Sequence, residues 1–208
     1  MNYKRLSIYL SEMNKTIKSY DKYAKELAEK FDKIGVRAND IKKLFLYNKK
    51  KNPRVLELGC AHGRDAAEIL KYTDQYIGID ASKELLKIAN KKLPQTKFFC
   101  QTFDKLKFPE NSFDSVYESA SIMHYPKDEL AIIFKNVYRW LDKDGLFLIS
   151  MKEGKYSKFL SQGYGERTQY AYRIDYIKEM TEDLFEIINI KKAHFQDQNW
   201  FTMILRKI

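Results

Sequence analysis

The stretch that decides the fold is Val55-Leu56-Glu57-Leu58-Gly59-Cys60-Ala61-His62-Gly63-Arg64-Asp65. An apolar run typical of a buried parallel strand stops at Gly59, and a helical pattern follows over 63–72. Gly59 and Gly63 allow the backbone to turn tightly and to approach a ligand. The stretch therefore predicts a cradle for a polar ligand between a strand and a helix.

The next apolar run strengthens this interpretation, because two glycines in a strand-to-helix turn are a weak signal alone. The run from Gln75 ends in an acidic residue, Asp80. Its distance from Gly59 is close to the roughly 20 residues expected before a carboxylate that binds ribose hydroxyls. A nucleoside-containing ligand is therefore expected.

Apolar strands and helical stretches alternate after Pro53, which is typical of a mostly parallel sheet covered by helices. The predicted strands are 53–58, 75–80, 96–101, 113–118 and 145–151, and the predicted helices are 63–72, 83–91 and 127–141. Ser82 is the expected N-cap of the second of these helices. We predict an α/β fold with a doubly wound, mostly parallel seven-stranded sheet and helices on both faces.

The C-terminal region adds the last two strands. The segments 185–196 and 200–208 alternate as strands do and are separated by the polar turn 197–199, so an antiparallel hairpin is predicted at one edge of the sheet. Residues 3–34 have apolar and aromatic residues at helical spacing, which predicts two helical segments. Residues 153–172 show no clear periodicity and are interpreted as a lid or acceptor loop.

The length of 208 residues predicts one domain over 1–208. Its expected parts are an N-terminal helical cap (1–50), a ligand-binding core (53–152), the lid or acceptor loop (153–172), and a C-terminal helix and hairpin (173–208).

Charge and cysteine content restrict the class of partner and the compartment. The net charge is +10, but the lysines are spread along the chain, which favours solvated helix faces over a nucleic-acid patch. No apolar run approaches the ~20 residues that span a bilayer, and no signal core is visible, so a cytoplasmic protein without membrane contact is expected.

Cys60 and Cys100 fit a reducing compartment and are interpreted as small buried residues. A zinc site formed by these cysteines with His62 and His194 matches no ligand spacing, and no metal is predicted.

These motifs together resemble the class I S-adenosylmethionine-dependent methyltransferases. The resemblance rests on VLELGCAHGRDA, IGIDAS, FDSVYESASIMHYP and RWLDKDGLFLISMKEG, in that order, and covers roughly residues 20–208. Glu57 stands where dehydrogenase fingerprints usually have their first glycine, which distinguishes the two classes. Ala61 departs from the usual glycine, although alanine is tolerated wherever φ is negative.

The resemblance implies S-adenosylmethionine as the cofactor and a set of residues that bind it. The implied cofactor-binding residues are Tyr20, Glu57, Gly59, Cys60, Ala61, Gly63, Arg64, Asp80, Ala81, Thr102, Phe103, Glu118 and Ser119.

Four of these contacts carry specific implied roles. Asp80 would bind the ribose diol, and Glu57 would lie beneath the methionine moiety. Arg64 would pair with the cofactor's carboxylate, and Thr102 beside Phe103 would contact the adenine. The alternatives are a solvent-facing Arg64 and a Glu57 that only accepts hydrogen bonds from neighbouring backbone. Tyr20 belongs to a Tyr-Asp-x-x-Ala element that in similar enzymes closes over the cofactor.

Methyl transfer is an in-line displacement that needs orientation and no protein nucleophile. His124, in a Ser-x-x-His-x-Pro element, is the candidate base and substrate contact if the acceptor must lose a proton. The alternative is a structural role, in which His124 caps the helix beginning near Lys127 or holds the loop in place. Tyr164, Arg167 and Tyr170 are the other candidate substrate residues, and they suit a flat or anionic acceptor.

The predicted function is methyl transfer to oxygen or nitrogen of a small metabolite, by a monomer or homodimer. An RNA or nucleoprotein methyltransferase is the first alternative. The Asn/Asp-Pro-Pro-aromatic signature of amino-directed DNA methyltransferases is absent after the fourth strand, where Glu118-Ser119-Ala120-Ser121 stands. A non-catalytic protein that binds S-adenosylmethionine is the alternative of another class.

Overall fold

The computed structural model describes residues 3–161 and 163–208, with side chains from residue 7 onward. The helices are α1 (Tyr3–Lys22), α2 (Ala24–Ile34), α3 (Ala38–Tyr47), α4 (Ala66–Ile69), α5 (Lys83–Lys92), α6 (Lys127–Trp140) and α7 (Ile174–Thr181). The strands are β1 (Val55–Leu58), β2 (Tyr76–Asp80), β3 (Lys97–Cys100), β4 (Phe113–Ser119), β5 (Leu141–Lys152), β6 (Ser157–Ser161), β7 (Arg167–Ala171), β8 (Phe185–Phe195) and β9 (Gln198–Lys207).

Seven strands form the main sheet in the order β3-β2-β1-β4-β5-β9-β8. The first five pair in parallel, and β9 pairs antiparallel with both β5 and β8. Because side chains alternate along a strand, Leu56 and Leu58 join a core with α6, while Val55 joins a second core with α3 and α4. Helices therefore cover both faces, and the predicted doubly wound sheet is confirmed.

The helix predicted over 63–72 is wrong in its extent. Only one α-helical turn forms, α4, and it follows a series of turns in which Gly63 has a φ of +79°. Beyond α4 the chain tightens into hydrogen bonds between residues three apart, from Lys71 to Glu68 and from Tyr72 to Ile69. The other two predicted core helices are confirmed as α5 and α6, and the Ser82 side chain caps α5 by accepting from the Leu85 N–H at 3.2 Å.

The segment 153–172, predicted as an irregular loop, contains a separate two-stranded antiparallel sheet. Its strands β6 and β7 pair from Ser157 with Ala171 to Ser161 with Arg167. Helix α1 supports it, because the Thr168 N–H donates to Thr16 Oγ1 at 3.0 Å and Lys158 bonds to Glu12. The hairpin and α1 thus pack on each other above the main sheet.

The C-terminal hairpin is confirmed, but its turn is shorter than predicted. Gln196 and Asp197 both have positive φ, which is the two-residue type I′ turn that matches strand twist. Gln198 and Asn199, predicted to turn, are instead paired in β9.

Candidate functional site

One large cavity of about 1250 Å³ opens at the carboxyl ends of the parallel strands. Its wall is formed by the segments that follow β1, β2, β4 and β5, with α1 and the β6–β7 hairpin above them. The strand order reverses between β1 and β4, and such a switch point is where open α/β sheets bind ligands.

The predicted site residues divide into two groups. Tyr20, Glu57, Gly59, Cys60, Ala61, Arg64, Asp80, Ala81, Phe103, Ser119, His124 and Arg167 line the cavity. Gly63, Thr102, Glu118, Tyr164 and Tyr170 do not line it.

The turn after β1 is held by close packing. A Cβ on Gly59 would come within 2.3 Å of Ser121, and the φ of Gly59 is +82°. Glycine is therefore required here both by its backbone conformation and by Ser121. Gly63 is required only by its φ, since a Cβ there would meet its neighbours at ordinary distances of 3.4 to 3.6 Å.

Ala61 does not meet the condition under which alanine was expected to be tolerated. Its φ is +48°, in the left-handed region that costs an L-residue about 1–2 kcal/mol. The Ala61 N–H donates to Asp80 Oδ2 at 2.9 Å, and this bond holds the strained turn against the end of β2.

Asp80 is fixed by backbone donors on both oxygens. Oδ2 accepts from Ala61, and Oδ1 accepts from the Ser82 N–H at 2.8 Å. Burial raises the pKa of Asp80 to about 6, although these hydrogen bonds oppose the shift. The carboxylate is thus presented to the cavity in a single orientation, with lone pairs left to accept further bonds.

Glu57 is a buried carboxyl at the floor of the same cavity. The Tyr76 hydroxyl donates to its Oε2 at 2.5 Å, so it does not merely accept from neighbouring backbone. Burial, followed by the negative charge of Asp65, raises the pKa of Glu57 to about 8. A cation bound nearby would reverse part of that shift.

Arg64 forms a two-pronged ion pair with its neighbour Asp65. Nε and Nη2 donate to the two carboxylate oxygens at 3.0 and 2.7 Å. Asp65 also accepts from the Arg37 N–H at 3.1 Å and from the Tyr117 hydroxyl at 3.0 Å. Arg64 is largely buried, so the solvent-facing alternative is wrong, and Asp65 already occupies much of its hydrogen-bonding capacity.

The two residues implied at the adenine end differ in their placement. Phe103 lies on the cavity wall, stacks on Tyr125 with ring centroids 5.3 Å apart, and donates its N–H to the Tyr125 hydroxyl. Thr102 turns away from the cavity, and its buried Oγ1 has no partner among the described residues. Of these two residues, only Phe103 lines the cavity.

His124 joins three parts of the chain. Its Nδ1 lies 2.5 Å from the Thr168 carbonyl oxygen, and its Nε2 lies 2.9 Å from the Tyr20 hydroxyl. A carbonyl only accepts, so Nδ1 carries the proton and Nε2 accepts from Tyr20. Burial lowers the pKa of His124 to about 4, which keeps the ring neutral. The suggestion that His124 caps α6 is wrong, because the α6 N-cap is Pro126 without a side-chain bond.

Glu118 supports the loop that carries His124. Its Oε1 accepts from the Ser121 N–H, the Ser121 hydroxyl and the Ile122 N–H at 2.6 to 2.8 Å. Burial raises the pKa of Glu118 to about 7. Glu118 thus positions the loop from beneath, and the neighbouring Ser119 faces the cavity.

Strand β7 determines which of the predicted substrate residues face the cavity. Alternation places Arg167, Gln169 and Ala171 on the cavity wall, whereas Tyr170 joins the hydrophobic core. Tyr164 lies outside the wall, with its ring 6.2 Å from that of Tyr23. Of the four predicted substrate residues, His124 and Arg167 line the cavity, whereas Tyr164 and Tyr170 do not.

Sequence reasoning missed several residues of this wall. Lys152 donates to Gln169 Oε1 at 2.8 Å and lies over the rings of Phe159 and Trp200. Period-2 alternation in β7 and β9 would have placed Gln169 and Trp200, had β7 been recognised as a strand.

Residues 3–161 and 163–208 contain no group of three or more His, Cys, Asp or Glu side chains placed to hold a metal ion. Cys100 is exposed, against the expectation that both cysteines are buried. Among these residues, no helix has the length and apolarity needed to cross a bilayer.

Comparisons with known proteins agree with this geometry. Residues 55–145 match the sequence model of a family described as a methyltransferase domain. A sterol 24-C-methyltransferase of Aspergillus fumigatus is 26% identical over 151 residues, which are 69% of this chain and 38% of that protein. The phosphoethanolamine N-methyltransferase of Plasmodium falciparum is 31% identical over 103 residues, or 48% of this chain and 39% of that protein. The chain thus spans about two-fifths of each of these relatives.

A solved structure matches the whole fold. The 1,6-didemethyltoxoflavin-N1-methyltransferase of Burkholderia thailandensis, solved with its substrate and S-adenosylhomocysteine, superposes with a TM-score of 0.73. The alignment covers 100% of this chain and 91% of that one at 15% identity. At this identity the likeness concerns the fold.

Proposed function

We propose that this chain, a class I S-adenosylmethionine-dependent methyltransferase by its matching domain over 55–145 and its fold, methylates oxygen or nitrogen of a small metabolite. The observation that carries the proposal is the continuity of the cavity. It reaches from Asp80 to Arg167, and its size exceeds the 300–1,000 Å³ of most single-ligand sites. A cofactor and a small acceptor can therefore occupy it together.

The residues present fit the proposed cofactor, S-adenosylmethionine. Two carboxyls, Glu57 and Asp80, line one end of the cavity and suit an ammonium group and a ribose diol. Phe103 supplies an apolar surface for the adenine. When bound, the cofactor would supply a methyl group attached to a sulfonium sulfur, and that sulfur would depart as a neutral thioether.

The Tyr20–His124 pair is the proposed route for the acceptor's proton. As the acceptor's lone pair forms its bond to the methyl carbon, the O–H or N–H proton passes to the Tyr20 oxygen, while the Tyr20 proton moves to His124 Nε2. The Thr168 carbonyl holds the ring in the tautomer that leaves Nε2 free to accept. The low pKa of His124 makes this a weak base, so the proton is taken only as the acceptor acquires positive charge.

Helix α1 and the β6–β7 hairpin are the proposed cover that excludes water and orients the acceptor. Ser19 Oγ donates to the Glu166 carbonyl at 2.9 Å, so the cover is joined at a second point besides Thr16. A site covered in part by α1 and the hairpin favours a small acceptor over RNA. The free thiols of Cys60 and Cys100 support a reducing compartment such as the cytoplasm.

Incubation with S-adenosylmethionine and a metabolite extract tests the proposal. We expect mass spectrometry to show a metabolite that gains one methylene unit, and Asp80→Ala to lower its yield at limiting S-adenosylmethionine. Cofactor binding without any product would instead identify a non-catalytic binding protein. Methylation of added RNA, with heparin retention and a steep salt dependence, would identify the nucleic-acid alternative.

A further inference from the structure

The acceptor end of the cavity has three cationic side chains, Arg167, Lys152 and Lys30, all on its wall. Among residues 3–161 and 163–208, no Asp or Glu lies within ion-pair distance of any of them. The two carboxyls that face the cofactor lie at its other end, after β1 and β2. Two other carboxylates of the wall, Asp40 and Glu153, are engaged by other cations.

Arg167 is the most buried of the three, with 4% of its surface exposed. Its Nη2 donates to Ser161 Oγ at 3.0 Å, and its Nε has no partner among the described residues. A guanidinium has five N–H donors, and the Nε donor of this buried cation is free to bind a further acceptor. Buried charges are ordinarily paired.

Lys152 and Lys30 add positive charge around Arg167. Burial, followed by the charge of Arg167, lowers the pKa of both lysines. Lys152 bonds only the neutral Gln169, and Lys30 lies over the Tyr164 ring at 5.3 Å. Three cations kept together against their mutual repulsion indicate that something negative balances them.

The other two arginines on the same cavity wall, Arg37 and Arg64, are already balanced by carboxylates. Arg37 and Lys191 pair with Asp40 at 2.9 and 3.2 Å, and Arg64 pairs with Asp65. Exposed lysines such as Lys155 on the wall also lack an acidic partner among the described residues, as expected for solvated charges. Arg167 differs from them because it is buried.

We propose that Arg167, with Lys152 and Lys30, binds an anionic group of the methyl acceptor, a carboxylate or a phosphate. This proposal rests on the proposed function, and it narrows the acceptor to a small anion. Tyr20 connects the two parts: its hydroxyl bonds His124, and its ring lies 5.4 Å from the Arg167 guanidinium carbon. The atom to be methylated would lie at the Tyr20 hydroxyl, with the anion directed toward Arg167. A neutral, wholly apolar acceptor would leave these cations unpaired.

Anion binding can be measured without turnover. Inorganic phosphate and acetate are titrated separately into the wild-type chain, with the thermal midpoint and calorimetry as readouts and sodium chloride at matched ionic strength as the reference. We expect one of the two anions to bind saturably. Phosphate binding would identify a phosphate-bearing acceptor, and acetate binding a carboxylate.

Arg167→Gln should weaken that binding at least tenfold, whereas Arg167→Lys should retain part of it. Arg139→Gln is the matched control, because Arg139 is exposed and pairs with the exposed Glu110 outside the cavity. Should Arg167→Gln fail to fold, Lys152→Gln provides the same test at a less buried position. No saturable binding of either anion to the wild type, or equal binding in both cavity variants, would overturn the proposal.

Binding of S-adenosylhomocysteine separates this proposal from the proposed function. We expect its affinity to change less than threefold in Arg167→Gln. A loss as large as the loss of anion binding would show that Arg167 holds the cofactor's carboxylate, which overturns the proposal about the acceptor. Failure of the wild type to bind S-adenosylhomocysteine would instead overturn the proposed function.

Discussion

The Tyr20 hydroxyl lies 2.9 Å from His124 Nε2, across 104 positions of the chain. This contact joins the end of α1 to the loop after β4, and the bond from His124 to Thr168 extends it to the β6–β7 hairpin. One imidazole thus connects the cover of the cavity to the sheet below. A change at His124 should affect both the closure of the site and proton transfer.

Replacement of His124 by Asn tests its role in proton transfer. For a hydroxyl or ammonium acceptor, we expect turnover to fall about 10²- to 10⁴-fold with cofactor affinity nearly unchanged, because a base acts in the transition state. Steady-state kinetics and calorimetry measure the two effects. Tyr20→Phe keeps the aromatic ring and removes only the hydroxyl, so it should show a loss of the same kind. Near-normal turnover in both variants would leave His124 a structural role only.

The pH profile of the wild type should differ from that of an ordinary histidine base. Because burial lowers the pKa of His124 to about 4, the neutral ring persists well below the usual value of ~6.5. We expect the limb of the kcat profile that reports His124 to fall near pH 4, and His124→Asn to lack it. An inflection near 6.5 that disappears in that variant would contradict the burial of His124 during turnover.

Asp80→Ala should weaken cofactor binding and also lower stability. Loss of a charge-assisted bond to the ribose should cost roughly 1.5–3 kcal/mol of binding free energy. The Ala61 and Ser82 N–H groups also lose their acceptor, so the free energy of unfolding should fall. Calorimetry with S-adenosylmethionine and chemical denaturation measure the two effects. Asp183→Ala, an exposed carboxylate outside the cavity, is the control, and unchanged affinity in Asp80→Ala would exclude the ribose contact.

Glu57 should make the stability of the cofactor-free protein depend on pH. Its pKa is about 8 in the folded chain, above the unfolded value of ~4.3, so the folded state favours the protonated form. This contribution is fully present below about pH 4 and is lost as the pH rises through 8. The pKa values of Asp80 and Glu118 are also raised, to about 6 and 7, so their contributions to stability are likewise lost as the pH rises.

Denaturation of the wild type and Glu57→Gln at pH 6, 7 and 8 isolates the contribution of Glu57. We expect the wild type to lose stability across this range and the variant to lose less, with the larger difference between pH 6 and 7, because the Glu57 contribution levels off near pH 8. Parallel curves would show that Glu57 is ionised in the folded as well as the unfolded chain across this range, which contradicts a raised pKa. The hydrogen bond from the Tyr76 hydroxyl lowers the pKa of Glu57. Tyr76→Phe removes this bond, so the loss of stability should extend to a higher pH than in the wild type.

Ala61→Gly should stabilise the cradle. The left-handed φ of Ala61 carries strain of about 1–2 kcal/mol, which glycine avoids, although glycine's greater freedom in the unfolded chain offsets part of the gain. We expect a net increase of up to about 1 kcal/mol in the free energy of unfolding, measured by urea denaturation. Ala67→Gly, in α4, is the matched control and should lose about 1 kcal/mol. A lower free energy of unfolding in both variants would contradict backbone strain at Ala61.

Much of the cofactor end could be predicted because its signals are local. The strands β1 and β2 are nearly continuous apolar runs, and Asp80 ends the second of them. The acceptor end lacked such signals. The strand β6 is largely exposed, and Gly163 and Gly165 interrupt the segment before β7, so period-2 alternation was obscured. For that reason the sequence predicts Tyr164 and Tyr170, which do not line the cavity, and misses Gln169, which does.

The sequence by itself determined the alternation of strands and helices, the turn after β1 and the carboxylate at the end of β2, because these depend on neighbouring residues. Only the tertiary structure decided that His124 meets Tyr20 and Thr168, and that Arg167 is buried without an acidic partner among the described residues. These relationships depend on how α1 and the hairpin pack over the sheet. Sequence separations of 104 and 44 residues leave no local pattern from which such contacts could be predicted.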